Sequence, residues 1–97
     1  MLHKKRSEWF RKTVKDRLKK YDEVKFVSYP DSDLGALEVI EFNSNEKCGF
    51  INFWSSGYIG FQIVDCNTVE EIVKDTLLEI PEGQSLEDIL SNFIANI

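Results

Sequence analysis

The sequence is poor in the residues that do chemistry. It has one histidine, His3, and two cysteines, Cys48 and Cys66, with no CxxC pair between them. A zinc site built on His and Cys therefore lacks ligands. A Ser or Cys nucleophile would need a base, and there is no second histidine to serve. Glycine is sparse as well. Gly57-Tyr-Ile-Gly60 lacks the third glycine and the following helix of a dinucleotide loop, so it reads as a turn feature. The adjacent acids Asp31/Asp33 and Glu70/Glu71 read as solvated loop carboxylates before they read as catalytic dyads, because no other part of a site accompanies them. The expectation is a protein without catalysis, cofactor or metal.

No apolar run approaches the ~20 residues of a membrane span. The opening stretch MLHKKRSEWF is charged, with no apolar segment behind it, so a secretory signal is not expected and a cytoplasmic location is. In that compartment Cys48 and Cys66 are expected as buried free thiols, with a disulfide between them as the alternative.

The charge is present but divided. The net charge is −5 over 97 residues. Residues 1–21 carry nine Lys/Arg and two acids, whereas residues 22–97 carry three Lys and fifteen acids. An acidic body with one basic helix would meet nucleic-acid phosphates mostly with carboxylates. It suits a basic protein partner better.

The stretch Cys48–Asp65, CGFINFWSSGYIGFQIVD, reads as two strands joined by a turn at Ser56-Gly57. Its β-branched and aromatic residues suit a pleated surface, and Gly57 can take the positive φ of a hairpin turn. Alternation puts Ile51 and Phe53 on one face with Ile59, Phe61 and Ile63, a set that should be core. The other face carries Phe50, Asn52, Trp54, Tyr58, Gln62 and Val64. Trp and Tyr dominate interface hot spots. Ordinary cross-strand packing is the competing role for the pair.

Around this hairpin the chain predicts a single α+β domain over residues 1–97. A helix is expected from Ser7, as N-cap, to Tyr21, with Phe10, Val14, Leu18 and Tyr21 as its apolar stripe and Trp9 beside them. Arg11, Lys12, Lys15, Lys19 and Lys20 fall off that stripe, as a solvated basic face or else as a nucleic-acid or membrane-surface helix. Strands follow at Val24–Tyr29 and Gly35–Phe42. Short links suggest an antiparallel meander. Residues 66–80 are two-sided: Thr68–Glu71 has the form of a capping box and the pattern leans to helix, but Cys66–Val69 could be a hairpin loop with Ile72–Ile80 as a fifth strand. Ser85 opens a C-terminal helix with the stripe Leu86, Ile89, Leu90, Phe93, Ile94 and Ile97. Both helices are expected on one face of a four- to five-stranded sheet.

The run Ile51-Asn-Phe-Trp-Ser-Ser-Gly57, then Phe61-Gln-Ile-Val-Asp65, then Thr68 and Glu71-Ile72 resembles the TriTu type of immunity proteins of bacterial contact-dependent growth inhibition. Those have a strand ending Trp-x-Ser-Gly, a strand ending in Asp, and a Thr-Gly-Glu turn into a further strand; Val69 stands here at the glycine position. The resemblance tilts residues 70–80 towards strand. It implies a non-enzymatic cytosolic protein that binds and neutralises the C-terminal domain of a cognate toxin, often a nuclease. On that reading Trp54 and Tyr58 are the candidate anchors, with Asp31, Asp33, Glu70 and Glu71 as a charged rim. The rival readings are a small regulatory nucleic-acid-binding module using the N-terminal helix, and a small enzyme of unknown class.

Overall fold

The computed structural model describes residues 1–97. Helix α1 (Leu2–Leu18) is followed by strands β1 (Glu23–Tyr29), β2 (Leu37–Asn43), β3 (Lys47–Trp54), β4 (Tyr58–Asp65) and β5 (Glu71–Glu79), then by two short helices, α2 (Leu86–Ile89) and α3 (Ser91–Ala95). The strands form one antiparallel sheet in the order β1-β2-β3-β4-β5. The α+β meander with its helices on one face is as expected.

The core lies between the helices and one face of the sheet. Phe53 pairs with Ile59 and Ile51 with Phe61, and all four are buried. Phe10, Val14 and Leu18 of α1 meet them. The Phe10 ring stands 5.8 Å from Phe53 and 5.9 Å from Phe93, and Phe93 closes on Phe61 at 4.9 Å. Gly49 is required inside this face, because a Cβ there would run into the Phe42 ring.

Three expectations need correction, and one open reading is decided. The N-terminal helix begins at Leu2, not at Ser7, and Ser7 and His3 are buried within it. Arg6 on the added turn finds partners in the β3–β4 turn and just past β5, which outweighs the local capping preference of Ser7. The C-terminal stripe forms two helical pieces, because the chain leaves helical geometry at Leu90 (φ −97°, ψ 6°). Ser91 donates its hydroxyl to the Asp88 carbonyl across the break (3.0 Å), and only Leu90, Phe93 and Ile97 of the stripe are fully buried.

Residues 71–79, two-sided in the sequence, are strand, the side to which the resemblance tilted them. The Asp65 carboxylate accepts from the Asn67 and Thr68 amides (2.8 and 3.1 Å), and the Asp65 amide donates to the Glu70 carbonyl (2.8 Å). This closes a hairpin and spends Thr68 on the turn. Finally, Cys48 and Cys66 are joined in a disulfide, not free. The register pairs Cys48 with Val64, so Cys66, just beyond β4, comes alongside with its Cα 6.1 Å away, inside bridging range. A loop of this size contributes about 3 kcal/mol in the chain-entropy account.

The β4–β5 turn stores strain at one residue. Val69 has φ +63°, in the left-handed region that a β-branched side chain rarely enters, and it is 78% exposed. This is the residue at the turn's glycine position. Val69→Gly should therefore raise the unfolding free energy by about 1 kcal/mol despite glycine's entropy in the unfolded chain. Urea unfolding with an unchanged slope checks it.

Candidate protein-binding face

The helices cover only one face of the sheet. The opposite face is a surface of crossing rows set by register. Tyr29, Leu37 and Trp54 align in one row, and Val27, Val39, Asn52, Gly60 and Leu77 in the next. Glu41, Phe50 and Gln62 make a third. At strand spacings this face measures about 20 Å by 20 Å. Tyr29 is 48% and Leu77 55% exposed, high values for large apolar side chains in a sheet.

Trp54 is half-buried here, laid flat across its neighbours. A Cβ on Gly60 would sit 3.1 Å from the indole ring, so the missing side chain is what lets the ring lie across β4. The indole N–H donates to Ser32 Oγ (3.1 Å), and that hydroxyl donates to the Gly35 carbonyl. Ser55 ties down the same loop: its amide donates to the Ala36 carbonyl (2.8 Å) and its Oγ accepts from the Ala36 amide (2.9 Å). The loop between β1 and β2 is thus fastened to the end of the β3–β4 hairpin. Asp31 and Asp33, exposed on either side of Ser32, stand in the loop that the Ser32 bond ties to Trp54.

The other two acids lie elsewhere. Glu70 and Glu71 follow the β4–β5 turn, at the far end of β4 from Tyr58. The Glu71 carboxylate accepts from the Asp75 amide (2.9 Å) and the Gln62 side-chain amide (2.8 Å). Those donors, the Asp75 amide foremost and the Gln62 amide next, with a smaller pull from Lys74, hold its carboxyl below the ordinary glutamate range. The four acids therefore lie in two loops at opposite ends of the sheet face that bears Trp54. Glu79, paired with Tyr58, and Glu41, paired with Phe50, add acids that sequence reading missed. Tyr29, Leu37 and Leu77 were missed too. Their alternation was visible, but their register against Trp54 was not.

One orphan stands in the middle of this face. Asn52 is half-buried, and its Oδ1 is buried without a hydrogen-bond partner. A strand interior is otherwise a place for Val or Thr. Such local violations of polar satisfaction concentrate at functional surfaces.

The hairpin end that carries Trp54 and Tyr58 is held from below by Arg6. Its guanidinium, buried to 5% exposure, donates to the carbonyls of Gly57 (3.1 Å), Ile80 (2.6 Å) and Pro81 (3.3 Å). The Ile80 amide donates to the same Gly57 carbonyl (3.0 Å). Burial pulls the Arg6 pKa below its ordinary value, and Glu82 partly opposes this. Nothing in the sequence separates Arg6 from its neighbours Lys4 and Lys5. Arg6→Met keeps most of the volume but strands the Ile80 carbonyl and removes two further bonds, and should cost about 3 kcal/mol in urea unfolding. Arg6→Lys should recover only part of that, because an ammonium lacks the fork that reaches three carbonyls.

The sole histidine, His3, is buried in α1 and not frayed, and its Nδ1 has no partner. No group of three or more His, Cys, Asp or Glu is placed to hold a metal ion. No helix is long and apolar enough to cross a membrane.

No match to the chain was found among curated proteins or among solved structures. A family model does match it: that of the immunity protein TriTu, over residues 4–96. The match takes in α1, the whole sheet and both terminal helices, so it describes the fold and not one motif. This chain belongs to the TriTu immunity protein family.

Proposed function

We propose that the chain neutralises a toxin domain by docking the open sheet face against it, with Trp54 and Tyr29 as anchors and the acids as rim. Family membership supports an immunity role and a toxin protein as partner. The observation that carries the choice of face is that one side of the sheet is left bare and bears aromatics, while the other is spent on the core.

The chemistry of the rim favours a basic target. Asp31 and Asp33 at one end and Glu70 and Glu71 at the other flank the aromatic centre. A nuclease presents Lys and Arg to phosphate, and an acidic inhibitor competes for that surface and speeds encounter. In this reading the toxin is a nuclease and inhibition is steric occlusion of its substrate surface. The protein acts in the cytoplasm of the cell it protects, as expected of contact-dependent growth inhibition, and it turns over no substrate.

A panel of variants tests the face. Trp54→Ala should cost about 2 kcal/mol, roughly thirtyfold in affinity, expressed as faster dissociation. Asp31→Asn with Asp33→Asn should slow association at low salt and leave dissociation nearly unchanged. Asn52→Val should stabilise the free protein by about 1 kcal/mol, by removing an unsatisfied oxygen, while weakening the complex. Affinity is read by surface plasmon resonance against the cognate toxin domain, and folding by urea unfolding. Trp54→Ala, Tyr29→Ala and Tyr58→Ala that stay folded and bind like wild type would place the interface elsewhere.

A further inference from the structure

We infer that the groove between α1 and the outer strand β1 is a second docking site, one that takes an acidic amphipathic helix from a protein partner. It lies on the helix side of the sheet, away from the Trp54 face, and does not rest on the reading of that face.

The groove exists because α1 packs mainly over β2 and β3, and α3 reaches β4, so the inner side of β1 is only partly covered. Phe26 points to the core side, where its register partner Ile40 is 1% exposed, yet Phe26 itself is 47% exposed. With Val24 and Leu18 it floors a groove of about 490 Å³, open along its length. Because the trough is open, it can receive several side chains of a segment laid along it.

One wall fixes the sign of the partner. Arg11, Lys12, Lys15 and Lys19 line it, against one acid, Glu8. Asp16 reaches Lys19 at 3.1 Å, but both side chains are largely exposed and such a pair is worth little. Arg11, Lys15 and Lys19 recur at every fourth residue, a rise of about 6 Å each. A helix laid alongside with acids at the same interval would meet each cation while its apolar stripe sits on Phe26 and Val24.

The other occupants fit less well. Arg11 stacks over one face of the Phe26 ring at 4.0 Å from its centroid, so a nucleic-acid base would compete with it for stacking there. Residues 22–97, with fifteen acids against three lysines, repel a polyanion that extends past the groove. A second copy offers no suitable helix, since Leu86 and Ile89 of the acidic α2 already pack against its own core.

The test uses the full chain and a side-chain-stapled helical peptide about four turns long, with Leu and Phe on one stripe and Glu on its flanks. Amide shifts in NMR titration should concentrate on residues 11–19 and 24–26, with a Kd of about 50 μM or tighter. Phe26→Ser should weaken binding at least about tenfold. The surface pair Lys12→Glu with Lys15→Glu, which leaves the floor intact, should do the same and flatten the salt dependence. Toxin neutralisation should be unchanged in both variants. No shifts at about 1 mM peptide, or shifts confined to the Trp54 face, would overturn the inference. So would tighter binding to anionic vesicles or duplex DNA than to the peptide, or a dimer in sedimentation whose contacts fill the groove before peptide is added.

Discussion

Arg6 is the interaction on which the arrangement of this molecule depends. One guanidinium reaches the β3–β4 turn at Gly57 and the exit of β5 at Ile80 and Pro81. These segments are 51 and 74 or more residues away along the chain. The Ile80 carbonyl would otherwise lack a donor, and a charge that is buried in this way is tolerable only while those bonds hold. The same contact sets the start of α1. A helix that began at Ser7 would leave Arg6 in irregular chain, and the clamp would lose its rigid support.

That anchoring decides what each side of the sheet can do. With α1 fixed over β2 and β3, the Phe53 face is consumed by Phe10, Val14, Leu18 and Phe93. The Trp54 face is left bare, and its hairpin end is stiffened from beneath by the Arg6 fork and from the side by the Ser32 and Ser55 bonds. A rigid aromatic loses little entropy when a partner closes on it. The off-centre position of α1 also leaves Phe26 exposed on the inner side of β1. Both surfaces therefore follow from one placement of one helix.

Much of this was legible in the residues. Strict alternation from Ile51 to Ile63 showed which hairpin face was core and put Trp54 and Tyr58 opposite it. The stripe of α1 was visible at Phe10, Val14 and Leu18. What failed was whatever depended on partners far away in the chain. Arg6 sits in a basic run and looks like its neighbours. The residues Ile72, Val73, Leu77 and Ile80 satisfy a helical pattern, and only the need to pair with β4 makes them strand. The resemblance leaned the right way there because its Thr-Gly-Glu turn survives in shape at Val69, whose φ is the one a glycine would take. The pairing of Cys48 and Cys66 is a consequence of β3–β4 register, which composition does not contain. Asp31 and Asp33 stand in the loop that Ser32 ties to Trp54, and Glu70 and Glu71 lie at the other end of the same face, because loop tethering, not loop composition, sets those positions.

The central claim is that the bare sheet face, and not the helix layer, meets the toxin. Cross-saturation NMR on the deuterated protein bound to protonated toxin domain addresses it without altering a residue. The account predicts signal loss at Tyr29, Leu37, Asn52, Trp54 and Tyr58, with the amides of α1 unaffected. Loss centred on Arg11, Lys15 and Lys19 with the Trp54 region silent would contradict it.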